Sequence, residues 1–308
     1  MLSVILPSYN EELNITQISE TLDRLLTGEK IPYELIFVND GSEDHTWDKI
    51  KEVRQTNPQV TGVNFSRNFG KEAAIYAGLS CSRGDCCVVM DCDLQHPPKT
   101  VVEMYRLWEQ GYEIVEGIKK SRGKESRLHK ACAGFFYKLM SFAVKIDMSR
   151  ASDFKLMDRK IVDILLSMTE RNSFFRALSS WVGYKTIRVE FDVQERAAGK
   201  SKWSAMALLS YAAHSIAAFS SAPLQIVTFC GEITLIISLL LGIQTLVRYC
   251  MGNAVEGFTT VILLILFIGS LLMISLGIIG FYLAKIYEEI KGRPRYLISE
   301  ILKAEEQR

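Results

Sequence analysis

Several absences narrow this chain before any residue is singled out. No GxGxxG follows the first apolar run and no GxxxxGKS/T occurs anywhere, so neither a dinucleotide oxidoreductase nor a P-loop phosphate site is supported. No basic run carries interleaved aromatics and the formal net charge is only +1, which excludes nucleic acid as an expected partner. The seven cysteines form no CxxC pair and have no nearby histidine at zinc-finger spacing. They read as reduced, small hydrophobic residues, as suits a cytoplasmic domain. No cleavable signal is expected, because Met1 leads straight into Leu2-Ser3-Val4-Ile5-Leu6 without a positive stretch. The amino-terminal region is therefore expected to stay on the cytoplasmic side.

What is present is unevenly distributed. Most charges lie before Lys202, and Trp203 to Gly231 carries none. The first half alternates short β-rich runs with helical patterns. Strands are predicted at Ser3–Pro7, Glu34–Asn39, Val60–Phe65, Cys86–Met90 and Glu113–Gly117, with helices at Glu11–Leu26, Thr46–Gln55, Lys71–Cys81 and Pro98–Glu109. That alternation predicts an α/β fold, Rossmann-like, with a mainly parallel sheet covered by helices on both faces. Further on, Arg122–Lys145 is basic and partly amphipathic, Asp158–Met168 and Phe174–Tyr184 read as helices, and Ile187–Val193 as one more strand.

The last third changes character. Gly257–Ala284 contains no charged residue, and at about 1.5 Å per helical residue it can cross a hydrocarbon core of about 30 Å. Pro223–Val247 is a second candidate, interrupted only by Glu232. The connection Arg248–Glu256 holds one basic residue, whereas Lys285, Lys291, Arg293, Arg295, Lys303 and Arg308 follow the second span. The positive-inside rule then predicts a multi-pass inner-membrane protein with both termini cytoplasmic. Trp203–Ser221 is too polar to span and reads either as interfacial helices on the bilayer or as a soluble helix packed on the first domain. The expected divisions are 1–202 for the cytoplasmic domain, 203–222 for the juxtamembrane helices, 223–284 for two spans and 285–308 for a cytoplasmic tail.

The chemistry-bearing residues sit at strand ends. After the first strand comes Pro7-Ser8-Tyr9-Asn10-Glu11-Glu12, after the second Asn39-Asp40-Gly41-Ser42, and after the fourth Asp91-Cys92-Asp93-Leu94-Gln95-His96-Pro97. Asn-Asp-Gly-Ser alone is ordinary turn chemistry. In a parallel sheet, however, these ends open on one edge, where open α/β sheets bind ligands. Tyr9 offers a ring for base stacking and Asp40 an acceptor for a base or ribose. Asp91 and Asp93 form a pincer of hard oxygens suited to Mg²⁺ or Mn²⁺.

These motifs, with Ser66-Arg67-Asn68-Phe69-Gly70-Lys71-Glu72, Ser152-Asp153-Phe154-Lys155-Leu156-Met157-Asp158-Arg159 and Arg196-Ala197-Ala198-Gly199-Lys200-Ser201-Lys202-Trp203, resemble those of family 2 inverting glycosyltransferases with a GT-A fold. Within that family they are most similar to polyprenyl-phosphate glycosyltransferases: the dolichol-phosphate mannose synthases and, closer, the bacterial bactoprenol (undecaprenyl-phosphate) glucosyltransferases. The resemblance implies that Pro7, Tyr9, Glu11, Val38 and Asp40 hold the nucleoside. It implies that Asp91, Cys92 and Asp93 meet the diphosphate, with Asp91, Asp93 and Gln95 on the metal. Arg196 and Lys202 would reach phosphate, of the donor or of the lipid. Lys119 stands where the mannose synthases have an arginine, keeping charge without bidentate geometry. Asn39 stands where an aspartate is usual, so hydrogen bonding without charge is expected there.

Catalytic work is thereby implied for Asp93, Asp153, Arg196 and Lys202. Asp153 either orients the acceptor and acts as a weak base, or caps a helix before Phe154. Arg122, Lys124, Arg127 and Lys130 either guide a lipid phosphate or form a solvated helix face. The expected reaction transfers a hexose, first of all glucose from UDP-glucose, to undecaprenyl phosphate for cell-envelope glycan modification, including that of lipopolysaccharide. GDP-mannose with dolichol phosphate, or UDP-GlcNAc, are the alternatives, and a non-catalytic membrane scaffold or flippase component is the competing class. A processive polysaccharide synthase would carry QxxRW, which is absent. Gly269, Ser270, Ser275 and Gly277 would permit close helix packing, as in a homo-oligomer, without specifying a subunit number.

Overall fold

The computed structural model describes residues 1–120, 152–168, 175–192 and 257–303, and most positions between 229 and 251. Contacts divide the chain into two units, Met1–Leu209 with Pro294–Arg308, and Ser210–Arg293. In the first unit the elements run β1 (Leu2–Ser8), α1 (Ile15–Gly28), β2 (Tyr33–Asn39), α2 (Thr46–Thr56), β3 (Val60–Phe65), α3 (Lys71–Cys81), β4 (Cys86–Val89), α4 (Pro98–Glu109) and β5 (Ile114–Lys119). After the segment 121–151 come β6 (Lys155–Asp158), α5 (Arg159–Ser167), α6 (Phe175–Trp181) and β7 (Thr186–Phe191). The second unit contains α7 (Phe258–Ile290), after which β8 (Ile298–Leu302) rejoins the first.

The eight strands form one sheet in the order β7-β5-β6-β4-β1-β2-β3-β8. The ladders β1/β2, β1/β4, β2/β3 and β5/β7 are parallel, whereas β6 runs antiparallel between β4 and β5, and β8 antiparallel to β3. Helices α1, α2 and α4 pack together on one face, and α3 lies across β1 and β2 in contact with α5 on the other. Covered on both faces, β1, β2 and β4 are buried along nearly their whole length. That is why they read as unbroken apolar runs rather than alternating ones. The expected mainly parallel, two-faced α/β architecture is thus observed.

Three features depart from the sequence reading. Helix α1 starts at Ile15, four residues later than expected: Asn10 is left-handed, Asn14 N–H closes a tighter turn on the Glu11 carbonyl, and the N–H groups of Asn10, Glu11 and Glu12 donate to Ser42 Oγ, Thr46 Oγ1 and Asp44 Oδ2. Residues following Asp153 form β6, so a helix cap at Asp153 is excluded. Four residues without a β-branched side chain carry almost no strand signal, and only the slot between β4 and β5 makes them one. Finally, the expected tail contains β8, which covers the β3 edge.

In the second unit, α7 spans 33 residues. Its segment Phe267–Ile290 has a mean hydropathy of 2.1 and is unburied, and it is the one helix among the described residues long and apolar enough to cross a membrane. The sequence reading expected two. Part of the other, Pro223–Val247, lies outside the described residues, although the described positions between 229 and 250 are helical. Trp203–Ser221 and Arg122–Lys145 also lie outside them.

The return of the chain is pinned where Tyr296 stacks on Phe65, with ring centroids 5.1 Å apart, and its hydroxyl meets Ser80 Oγ at 3.0 Å. Tyr296→Ala is expected to lower stability of the first unit by about 1–2 kcal/mol, read from the urea midpoint. An unchanged midpoint would show that this contact does not hold β8 in place.

Candidate active site

Because β1, β2 and β4 are parallel neighbours, their carboxyl ends deliver three loops to one edge. The loop after β1 presents Tyr9, 41% exposed, beside Asn10 in a left-handed turn. Asparagine tolerates that conformation, and its Oδ1 accepts the Glu43 N–H at 2.9 Å. The loop after β2 is held by Asn39. Its amide donates to Asn64 Oδ1 at 2.7 Å and accepts the Ser42 hydroxyl at 2.5 Å, so an uncharged group does both jobs.

Asp40 is 3% exposed, and its carboxylate accepts the N–H groups of Phe69 at 2.7 Å and Gly70 at 2.9 Å. Burial pushes this carboxyl up, and the two N–H groups work against that shift. The aspartate therefore ties the β2 loop to the loop entering α3. A carboxylate has about four acceptor positions, so a nucleoside donor could still be met. Next to it Gly41 has φ +61°, and a Cβ there would lie 2.3 Å from the Arg67 carbonyl carbon. Only glycine allows the two loops to approach this closely.

The loop after β4 is the most constrained. Leu94 adopts φ +58°, a conformation costing a non-glycine residue about 1–3 kcal/mol and concentrated at functional sites. Asp93 Oδ1 accepts the Gln95 N–H at 3.1 Å, closing the turn. His96 is buried, stacks on Phe154 with centroids 4.5 Å apart, and accepts the Asp91 N–H through Nδ1 at 3.2 Å. Burial keeps the imidazole neutral against the pull of Asp91, so its proton sits on Nε2. Cys92 points inward to Ser8 Oγ at 3.1 Å, and Val38 is wholly buried in β2. Neither side chain reaches the edge, so what they can offer a nucleoside is main chain.

Two residues the sequence reading gave no role complete the site. Lys71, opening α3, places its ammonium 2.6 Å from Asp91 Oδ1 and 3.4 Å from Asp153 Oδ2. Arg176 on α6 grips Asp153 with two bonds, Nε to Oδ1 at 3.0 Å and Nη2 to Oδ2 at 2.8 Å. Burial opposes charge on all three of Lys71, Asp91 and Asp153. Mutual attraction outweighs it, raising the lysine and holding Asp91 and Asp153 below the usual carboxylate range. Asp153 is thus an ionised carboxylate at neutral pH. No local motif could reveal this chain of charges, since Lys71 and Asp153 are 82 positions apart and Asp153 and Arg176 are 23 apart.

Of the residues singled out from sequence, Tyr9, Glu11, Asp40, Asp91 and Asp93 lie in the loops at this edge, with Gln95 beside Asp93 and Pro7 at the end of β1. Lys119 ends β5 and is exposed. Arg196 and Lys202 lie outside the described residues, as do Arg122, Lys124, Arg127 and Lys130. Among the described residues no group of three or more His, Cys, Asp or Glu could cage a metal. The donor set is two carboxylates and an amide on a fixed turn, and the spot at Asp91 already attracts a cation, the Lys71 ammonium. That fits a hard divalent ion completed by diphosphate and water, not a structural zinc.

Glu72, next to Lys71, accepts the Phe175 N–H at the start of α6 at 2.8 Å. Burial, reinforced by Asp153, pushes its carboxyl up to about 7. A raised acid contributes stability that is complete below its unfolded value of 4.5 and is lost as pH climbs through about 7. Without divalent metal, the unfolding midpoint of the wild type should therefore fall relative to Glu72→Gln between pH 5 and 7.5; parallel profiles would contradict this. Gly41→Ala should cost about 2 kcal/mol or more in the same assay.

The Glycosyl transferase family 2 profile matches residues 3–165. An uncharacterised glycosyltransferase of Synechocystis sp. is 39% identical over 302 residues, covering 97% of this chain and 95% of the relative. The SfII prophage-derived bactoprenol glucosyl transferase of Shigella flexneri is 36% identical over 305 residues, covering 97% of each. Among solved structures, mannosyl-3-phosphoglycerate synthase of Rubrobacter xylanophilus superposes with a TM-score of 0.50 at 15% identity, over 71% of this chain and 72% of that one. That likeness shows the fold alone. The sequence matches and the loop geometry at the sheet edge agree, and the chain belongs to glycosyl transferase family 2, with a GT-A-like fold.

Proposed function

We propose that this glycosyltransferase moves glucose from UDP-glucose to undecaprenyl phosphate at the cytoplasmic face of the inner membrane, with inversion at the anomeric carbon. The observation that carries the reading is the single sheet edge on which Asp91 and the ionised Asp153 share the Lys71 ammonium, with Asp93 in the same turn as Asp91. Full-length similarity to proteins named bactoprenol glucosyl transferase supports the acceptor class. Mg²⁺ or Mn²⁺, held by Asp91, Asp93 and Gln95, would neutralise charge on the departing diphosphate.

The chain's own residues do the rest. Tyr9 stacks on the base, and Asp40, Glu11 and the main chain at Pro7 and Val38 line the nucleoside. Lys119, Arg196 and Lys202 reach phosphate. The acceptor phosphate has a second pKa of about 6, so it is already mostly dianionic at neutral pH and needs little deprotonation. Its oxygen forms the new bond to C1 while the bond from C1 to the diphosphate breaks. Asp153, fixed by Arg176, holds the Lys71 ammonium in place, and these cations rather than the carboxylate meet the dianionic acceptor, with no proton removed.

Membrane attachment follows the same reading. The sheet holds both the chain that begins with β1 and the β8 strand beyond α7. If α7 crosses the bilayer once, the residues between 210 and 257 must cross it back. The apolar, helical described positions between 229 and 250, with Ile233, Ile236, Leu240 and Ile243 exposed, support placing a second span there.

Incubation of purified protein with labelled nucleotide sugars and undecaprenyl phosphate should yield a chloroform-soluble sugar phosphate that EDTA abolishes. Asp91→Asn and Asp93→Asn should each reduce its formation by about 100-fold or more. No lipid product with any nucleotide sugar would sink the proposal, and undiminished function of both variants in cells would favour a scaffold.

A further inference from the structure

Beneath Asp153 lies a buried ion pair that none of the proposed chemistry uses. Lys155 on β6 is 1% exposed, and its ammonium lies 3.2 Å from Glu116 Oε1 on β5, itself 5% exposed. The ammonium also donates to Ser179 Oγ and Ser180 Oγ at 2.9 Å each, and to the Arg176 carbonyl at 3.5 Å. Glu116 accepts the Ser152 N–H at 3.0 Å through Oε1, and Arg188 Nε faces its other oxygen at 3.5 Å.

A pair like this is an expensive way to hold a fold, since desolvating each ion costs several kcal/mol and apolar replacements often match or exceed its stability. Its connections are specific, however. One end secures the main chain just before Asp153. The other secures the turn of α6 from which Arg176 extends, and Arg176 is the group that grips Asp153 with two bonds. We infer that the Glu116–Lys155 pair is a positioning device: it fixes both the backbone and the arginine partner of Asp153, and so sets how that carboxylate and the cations it holds face the acceptor phosphate. The inference rests on the reading of Asp153 as the acceptor-facing carboxylate. Neither Glu116 nor Lys155 touches substrate; both act through Arg176 and Ser152.

The test is a kinetic double-mutant cycle on the full-length protein. The paired change Glu116→Gln with Lys155→Met removes both charges at similar volume, keeps an acceptor for the Ser152 N–H and cuts the tether to α6. It should lower kcat for lipid glycosylation at least tenfold, while binding of UDP with Mn²⁺ stays within twofold of wild type. Arg176→Lys should do the same, and the combination should be no slower than Arg176→Lys alone, because the pair acts through that arginine. Multiplicative losses, or a fall in UDP affinity parallel to kcat, would show general structural damage and overturn the inference.

Hydrogen exchange gives a readout independent of turnover. The paired change should speed exchange in α6 and at Phe154 and leave β1 and β2 unaltered; unchanged exchange in α6 would also overturn the inference. A wild type that makes no lipid product would instead fail the proposed function, and the exchange result would still decide whether the pair holds Asp153.

Discussion

Carboxylates gathered at one edge of a sheet repel each other and resist burial, and the architecture of this site answers that constraint. Asp91 and Asp153 share the Lys71 ammonium, and Asp153 is closed from the far side by the bidentate Arg176. Removing Arg176 would strip Asp153, the least exposed of these carboxylates, of its bidentate partner, and removing Lys71 would leave Asp91 and Asp153 to repel each other. The arrangement also keeps the edge poised for a cation. On the proposed reading, a divalent ion entering with a nucleoside diphosphate would find ionised oxygens already fixed, and Lys71 would be released to face another anion.

The topology serves the same end. Had β5 followed β4 directly, Asp153 would have no place beside Asp91. The antiparallel insertion of β6 between them carries the Ser152-Asp153-Phe154 turn to the shared edge. Phe154 then supplies the face on which His96 stacks, and His96 accepts the Asp91 N–H. A single short strand therefore connects the acidic turn after β4 to the carboxylate whose cations are proposed to meet the acceptor. At the opposite end of the sheet, β8 covers the β3 edge and brings the chain beyond α7 back to the same unit.

What could be read from the sequence follows from how local each signal is. Strands β1 to β5 and helices α2 to α4 announce themselves by apolar runs, turn residues and caps within about a dozen positions, and they appear nearly where expected. The pincer at Asp91 and Asp93, and the loops carrying Tyr9 and Asp40, were legible because strand ends of a parallel sheet share an edge. β6 was not, since Lys-Leu-Met-Asp acquires strand character only from its neighbours. Lys71, Glu72 and Arg176 were not assigned roles because their partners lie far off in sequence and meet only through α3 packing against the sheet and α6 lying beside it. The inward turn of Cys92 and the complete burial of Val38 were equally invisible, as both depend on which face of a strand end looks into the core.

The proposed chemistry reduces to one physical statement: a cation with its diphosphate would sit at Asp91 and Asp93, and in the structure Lys71 supplies the positive charge at Asp91. Anomalous diffraction from crystals of the protein with UDP and Mn²⁺ tests this most directly. Expected is a manganese peak within bonding distance of Asp91 and Asp93, bridged to the diphosphate, with the Lys71 ammonium withdrawn from Asp91 and Arg176 still on Asp153. Manganese bound away from both aspartates, or UDP bound there with the Lys71–Asp91 contact intact and no metal, would contradict it.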